Sequence, residues 1–204
     1  MKISLVNVGK RFNSEWIFRA FTYEFKSGVS YAITGPNGSG KSTLLQIIAG
    51  ATLFNEGTIE FFGVTQIPAE LVYKSISIAA PYLEIIEEMT LLEFLHFHKQ
   101  LKSLKTDTSI PGIIQIMGLE KSSHKQIRYF SSGMKQRVKL AQAIFSDVPI
   151  VLLDEPNTNL DLEGIVLYHQ LINEYCKGRL VIVSSNDKSE YDFCEHVIDM
   201  SNYK

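Results

Sequence analysis

The most informative segment of this sequence is Gly35-Pro36-Asn37-Gly38-Ser39-Gly40-Lys41-Ser42-Thr43. It has the form G-x-x-x-x-G-K-[ST], which binds phosphate when a strand precedes it and a helix follows it. Both flanks fit, because residues 29–34 are an apolar run of strand length and residues 44–50 have a helical pattern. The glycines permit unusual backbone angles and let N–H groups approach an anion closely. The segment therefore predicts a phosphate-binding loop.

Two polar residues of this loop have a defined chemistry. Lys41 supplies a positive charge for the β- and γ-phosphates of a nucleotide, and Ser42 supplies a hydroxyl for Mg²⁺. The helix that follows directs the positive end of its dipole at the same phosphates. A glycine-rich turn with an incidental lysine is the alternative, and the flanking strand and helix argue against it.

The composition excludes several classes of protein. The 204 residues are 45% hydrophobic and 21% charged, as in a globular domain with its own core. Net charge is only −2, so no nucleic-acid partner is expected. No apolar run approaches the roughly 18 residues of a membrane span, and the N-terminus begins a strand pattern rather than a signal peptide. Cys176 and Cys194 lack metal-ligand spacing, which favours inert thiols in the cytoplasm.

Strand and helix patterns define the fold class. Residues 2–8 and 16–25 alternate apolar and polar side chains, as antiparallel strands do. Residues 150–153 and 180–183 are continuous apolar runs, typical of parallel strands that helices cover on both faces. Between these two regions, residues 82–146 are mostly helical in pattern. We therefore expect an α/β P-loop NTPase fold. Its mostly parallel sheet would carry an N-terminal antiparallel β portion and an inserted helical subdomain, all within one domain of residues 1–204.

Further elements follow from shorter patterns. Thr90 and Glu93 have the spacing of a capping box and predict the start of a helix. The remaining expected elements are strands at 58–62, 75–80 and 197–200, and helices at 110–117, 133–145 and 162–175.

Two carboxylates end the predicted strand at residues 150–153. Asp154 fits the acidic partner that Mg²⁺ requires opposite the Ser42 hydroxyl. Glu155 follows it and is a candidate general base that orients and deprotonates an attacking water. Ligands bind at the carboxyl ends of parallel strands, so the position agrees with the fold. A solvated acidic turn is the alternative interpretation.

A set of ordered motifs resembles that of ABC-type ATPases. Residues 130–138, FSSGMKQRV, are similar to the family's signature segment, which reads LSGGQ before a Gln-Arg pair. Residues 156–161, PNTNLD, resemble its D-loop, with Asp161 at the matching place. The phosphate loop and the Asp-Glu strand complete the set. The resemblance extends from residues 10–12 near the start to the strand near residue 200.

The resemblance implies that ATP binds between two copies of the domain. Ser131 would offer a hydroxyl and Gly133 a backbone N–H to the γ-phosphate held by the other copy. Asp161 would contact the opposite phosphate loop. Phe12 occupies the aromatic position that stacks on adenine; Trp16 is the alternative, and packing within the antiparallel strands fits it better.

This sequence departs from the family pattern at three places. Its signature has Ser132 and Met134 where a glycine and a glutamine are usual. The family's glutamine between the sheet core and the helical lobe falls at residues 80–82, which read Ala-Pro-Tyr. Asn186 stands in place of the histidine that touches the γ-phosphate, and it has no titratable proton. With Lys41, Glu155 and Asn186 as its catalytic residues, we expect an ATPase that is slower than usual.

The resemblance implies the ATP-binding subunit of an ABC transporter. Its expected cofactors are ATP and Mg²⁺, and its partners are a second ATPase subunit, identical or not, and a separate transmembrane permease. We expect a cytoplasmic protein held at the inner face of the membrane through that permease. Two alternatives are an ATPase of iron–sulfur cluster assembly and a degenerate subunit that binds ATP but hydrolyses it weakly.

Overall fold

A computed structural model describes all 204 residues, as nine strands and five α-helices joined by loops and short 3-10 helices. The strands are β1 Lys2–Phe12, β2 Glu15–Lys26, β3 Ser30–Thr34, β4 Glu56–Phe62, β5 Gln66–Ile67, β6 Ile76–Ala79, β7 Ile150–Asp154, β8 Leu180–Ser184 and β9 His196–Asp199. The helices are α1 Lys41–Ile48, α2 Leu91–Leu101, α3 Ile110–Ile116, α4 Ser132–Ile144 and α5 Leu162–Tyr175.

The N-terminal strands form an antiparallel sheet in the order β2-β1-β4-β5. Every second residue at the start of β1 is buried, as at Ile3 and Leu5, because alternate side chains of a strand point to one face. On β2, Phe18, Phe21 and Phe25 are fully buried on the same core. The predicted antiparallel portion is confirmed, and β1 extends four residues beyond the expected end.

The second sheet has the order β6-β7-β8-β3-β9, and β7, β8, β3 and β9 run parallel. All residues of β7 and β8 are buried, which explains their uninterrupted apolar sequences. Helix α1 packs against both strands. The predicted P-loop α/β architecture with a mostly parallel sheet is confirmed.

The chain divides into two compact units. The first unit contains residues 1–78, 148–155 and 178–204, and thus both sheets apart from the last residue of β6. The second contains residues 79–147 and 156–177, and thus helices α2 to α5. The predicted helical segment 82–146 lies within this second unit, together with α5. The assignment of residues 1–204 to a single domain stays a prediction.

Within the second unit, local signals set the helix boundaries. The Thr90 side chain accepts from the Glu93 N–H, and the Glu93 carboxylate accepts from the Thr90 N–H, so the predicted capping box begins α2. Residues 82–89, at the start of the mostly helical segment, form turns and irregular backbone that lead to the Thr90 cap. In the first unit, the unpredicted 3-10 helix Ala69–Ser75 precedes β6.

A half-buried histidine joins α2 to the residues that follow α4. His98 Nε2 lies 2.9 Å from Ser146 Oγ, and the two groups share a hydrogen bond. Burial lowers the pKa of His98, and the charge of Lys102 lowers it further, while the Gln142 backbone opposes both effects. The unfolded chain therefore binds this proton more tightly than the folded protein does.

We predict that His98 makes the protein less stable in mild acid. The contribution of neutral His98 to the free energy of unfolding is fully present above the unfolded histidine pKa of about 6.5. It is lost as pH falls through the lower pKa of the folded protein. Urea unfolding between pH 7.5 and pH 5 should show a steeper loss of unfolding free energy for the wild type than for His98→Gln. Parallel curves for the two proteins would contradict this assignment.

Candidate functional site

The phosphate loop in the first unit encloses the lysine side chain. Lys41 is only 6% exposed, and its Nζ donates to the carbonyl oxygens of Gly35 at 2.7 Å and Pro36 at 3.4 Å. The loop ends at Gly40, which has φ of 97° and immediately precedes α1. A Cβ on Gly40 would come within 2.8 Å of Ile17, so the position requires glycine both for its backbone angles and for space.

Asp154 ends β7 directly opposite Ser184 of β8. It is 1% exposed, and its Oδ1 has no hydrogen-bond partner. Burial raises the pKa of Asp154, and the nearby hydroxyls of Ser184 and Ser42 oppose that shift. A buried carboxylate with an unpaired oxygen beside a serine hydroxyl is a donor set that suits a hard cation such as Mg²⁺.

Glu155 leaves the strand in a left-handed conformation, with φ of 44°. Its backbone N–H donates to the Ser184 carbonyl at 2.9 Å, which continues the β7–β8 pairing by one residue. Its side chain is exposed. Non-glycine residues with such angles cost about 1–3 kcal/mol and cluster at functional sites, which agrees with a catalytic position for Glu155.

Asn186 is connected to the phosphate loop by a hydrogen bond. The Gly35 N–H donates to Asn186 Oδ1 at 3.1 Å. Because Oδ1 accepts this bond, the other end of the amide, Nδ2, remains as the donating end. The first unit thus brings together four predicted site residues at one sheet edge, namely Lys41, Ser42, Asp154 and Asn186.

The two candidate adenine-binding aromatics differ in their surroundings. Phe12 is 51% exposed at the end of β1, and the Lys10 ammonium lies 4.6 Å from its ring centroid. Trp16 is covered by the guanidinium groups of Arg11 and Arg19, which lie 5.6 and 4.4 Å from its ring. Both rings thus have a cation close by, and Phe12 is the more exposed of the two.

The signature residues lie at the N-terminus of α4 in the second unit. Ser131 is the N-cap of this helix, and its Oγ accepts from the Met134 N–H at 3.2 Å. Gly133 lies close to the loop that precedes α5, and a Cβ at this position would be 2.9 Å from the Asn159 carbonyl oxygen. A cavity of about 670 Å³ borders Ser131, Gly133 and Asp161.

Asp161 begins α5 within the same unit. Its Oδ1 accepts from the Gly164 N–H at 2.8 Å and lies 3.3 Å from Arg137 Nη2. The Gly164 N–H and, to a smaller extent, Arg137 hold the pKa of Asp161 below its usual range. The second unit thus places Ser131, Gly133 and Asp161 around one cavity, as a helix N-terminus and a neighbouring loop.

Comparison with known proteins identifies the family. The model of the ABC transporter family matches residues 18–158. The "Uncharacterized ABC transporter ATP-binding protein YybJ" of Bacillus subtilis is 32% identical over 208 residues, covering 98% of this chain and 93% of that protein. This chain belongs to the ABC transporter family of ATP-binding proteins.

Two further similarities fit the same family. The "Nod factor export ATP-binding protein I" of Rhizobium sp. is 27% identical, and the match covers 92% of this chain and 64% of that protein. A putative ABC transporter ATP-binding protein from Pyrococcus furiosus has a TM-score of 0.83 at 20% identity, with each chain covered over 100% of its length. At that identity the structural likeness supports the ABC ATPase fold alone.

Two residues of the ABC fold were not found from sequence patterns. Ser184 lies between Asp154 of β7 and Ile33 of β3 in the parallel register, and its Oγ is buried without a hydrogen-bond partner. Gln136 is 3% exposed, and its Nε2 donates to the Pro156 carbonyl at 2.7 Å. Ser184 follows the predicted strand at 180–183, but its place beside Asp154 depends on strand register, which one sequence does not give. Gln136 belongs to the Gln-Arg pair of the signature segment, but its bond to Pro156 depends on tertiary packing.

We predict that Gly133→Ala destabilises the protein although alanine favours helices. The propensity gain is at most about 1 kcal/mol, whereas a methyl group 2.9 Å from the rigid Asn159 carbonyl forces a backbone shift that costs about 1–3 kcal/mol. Urea unfolding measures the difference. Gly63→Ala is the control, because the nearest atom to its Cβ would be Ile67 Cδ1 at 3.8 Å, an ordinary van der Waals contact, and its φ is not in the left-handed region. A more stable Gly133→Ala protein would show that no clash exists.

Proposed function

We propose that this chain is the ATP-binding and ATP-hydrolysing subunit of an ABC transporter, that two copies enclose two ATP molecules, and that a separate permease forms the pathway. The observation that carries this proposal is the phosphate loop around the buried Lys41, beside Asp154 at the carboxyl edge of a parallel sheet. Such a place would suit the phosphates and metal of a nucleotide, since the N-terminus of α1 and an ammonium lie together in one loop.

Ser42 and Asp154 would hold Mg²⁺ in this proposal. Bound Mg²⁺ would neutralise part of the phosphate charge. Asp154 is suited to this role because its burial disfavours the ionised form in the absence of a positive partner, and its Oδ1 has no other bond to satisfy. Lys41 would contact the β- and γ-phosphates, exchanging its two carbonyl acceptors for phosphate oxygens.

Glu155 would act as the general base. Its side chain is exposed next to the buried Asp154, and its N–H bond to Ser184 fixes where the backbone leaves the sheet. A carboxylate in this position can orient a water molecule and accept its proton. The left-handed angles at Glu155 turn the chain away from the strand direction at this point.

Asn186 would donate from Nδ2 to the γ-phosphate but could not carry a proton. Its Oδ1 is committed to the Gly35 N–H. The segment Ala80-Pro81-Tyr82 offers no glutamine side chain for the water or the metal. A missing polar contact in the transition state costs about 2–4 kcal/mol, and we therefore propose that hydrolysis is slow.

The second copy would complete each site through the N-terminus of α4. The Ser131 oxygen accepts the Met134 N–H, which leaves the hydroxyl hydrogen of Ser131 to donate to a phosphate oxygen. The helix dipole favours negative charge at the same place. Phe12 would stack on the adenine, and Asp161 would approach the partner's phosphate loop.

A permease partner follows from the family. None of the helices is both long and apolar enough to cross a bilayer. The family is that of ABC transporters, and one relative is named for Nod factor export. We propose that this subunit acts in the cytoplasm, at the inner face of the membrane, in an exporter-type system.

We predict that Glu155→Gln abolishes hydrolysis without abolishing ATP binding. Loss of a general base lowers kcat by about 10²- to 10⁴-fold, while the phosphate loop stays intact. Steady-state phosphate release and the Kd of a fluorescent ATP analogue give the two quantities. Glu163→Gln is a matched control, because this carboxylate is exposed on α5. Equal hydrolysis rates in wild type and Glu155→Gln would remove Glu155 from the mechanism.

We also predict that Asn186→His accelerates hydrolysis. An imidazole can accept the Gly35 N–H at one ring nitrogen and present the other to the γ-phosphate, and we expect kcat to rise about tenfold. Asn186→Ala should lower kcat, because it removes both the bond to Gly35 and the donor. If Asn186→His hydrolyses ATP no faster than wild type, the slow step does not depend on this position.

A further inference from the structure

The second unit begins at a short segment that lacks the family's glutamine. Its first residue, Ala79, is also the last residue of β6, and Ala80-Pro81-Tyr82 follow it. Ala80 is fully buried, whereas Pro81 and Tyr82 are exposed. The Leu83 N–H donates to the Ala80 carbonyl at 3.2 Å and forms a turn.

One side chain of α4 holds the two carbonyl groups of this segment. Lys139 Nζ donates to the Ala80 oxygen at 3.2 Å and to the Pro81 oxygen at 2.9 Å. An ammonium bound to consecutive carbonyls restrains both peptide groups, and its hydrogen bonds are charge-assisted and therefore stronger than neutral ones. All of these atoms lie within the second unit.

The surroundings of this ammonium lower its pKa, and two carboxylates oppose that shift. Burial lowers the pKa of Lys139, while the charges of Glu84 and Glu87 raise it and that of Lys135 lowers it. Lys135 is itself paired with Glu87, since the two side chains lie 2.6 Å apart. The two lysines lie one turn apart on α4 but have different partners. Lys139 binds backbone carbonyls, and Lys135 binds a carboxylate.

We infer that Lys139 is a positioning residue that ties the segment Ala80–Tyr82 to the signature helix α4. The inference rests on the proposed function in one respect: Ser131 and Gly133, at the start of α4, are taken to engage the ATP of the partner copy. Any shift of α4 during that engagement is then passed to the Ala80 and Pro81 carbonyls. Lys139 thus gives this chain a backbone contact where its relatives are expected to use a glutamine side chain.

Hydrogen exchange tests the restraint without reference to catalysis. The reporter is the Leu83 amide, in a peptide covering residues 79–86 of the whole protein. Lys139→Met should exchange there about five- to tenfold faster, the effect of losing hydrogen bonds of ordinary net strength. Lys139→Arg should restore slow exchange, because a guanidinium can also donate to two carbonyls. Lys135→Met, which removes a cation from the same helix, should leave this peptide unchanged.

ATP hydrolysis provides the second measurement. Lys139→Met should lower kcat at least about threefold with an unchanged KM for ATP, because the phosphate loop is intact and only positioning is lost. Lys139→Arg should keep most of the wild-type kcat. Lys139→Gln, which is shorter and uncharged, serves as the replacement if the methionine variant does not fold, and it should show the same faster exchange and lower kcat.

The outcomes separate this inference from the proposed function. The role of Lys139 would be overturned, whatever the ATPase result, if the 79–86 peptide exchanged no faster in Lys139→Met than in wild type. It would also be overturned if Lys135→Met accelerated that exchange equally. Faster exchange with an unaltered kcat would also overturn it, because the restraint would then not act on the reaction. A wild-type protein that neither binds nor hydrolyses ATP would refute the proposed function, while the exchange comparison still tests the contact.

Discussion

The nucleotide site depends on the interaction between the buried ammonium of Lys41 and the backbone of its own loop. The ammonium is held by two carbonyl oxygens, those of Gly35 and Pro36, rather than by a carboxylate within ion-pair distance. A buried positive charge without close neutralisation is costly in free energy, and an incoming phosphate relieves that cost. The loop is thus preorganised for an anion, and Gly40 is the residue that makes its tight passage into α1 possible.

The parallel sheet supplies what the loop alone does not. Because β7, β8 and β3 end at one edge, Asp154, Ser184 and the start of the phosphate loop become neighbours although they are far apart in sequence. The bond from the Gly35 N–H to Asn186 completes this edge. The second unit contributes a separate arrangement. Helix α4 is held there by the bond from Gln136 to Pro156 and by the bonds from Lys139 to Ala80 and Pro81.

Local signals in the sequence predicted most of the fold and of the candidate site. The phosphate loop, the capping box at Thr90 and the uninterrupted apolar strands each follow from neighbouring residues, so one sequence suffices to predict them. Ser184 and Lys139 could not be assigned in this way, since their partners are set by strand register and by helix packing. The mostly helical segment from residue 82 begins with irregular backbone, and the capping box at Thr90 marks where α2 starts.

Sedimentation velocity of Glu155→Gln is the most direct test of the central claim that each nucleotide site is completed by a second copy. The chain has a mass of 23.1 kDa. With ATP and Mg²⁺ we predict a species of twice that mass, which disappears with ADP and in a Ser131→Arg background that leaves the phosphate loop intact. A protein that remains monomeric at ATP concentrations that saturate its phosphate loop would contradict the account.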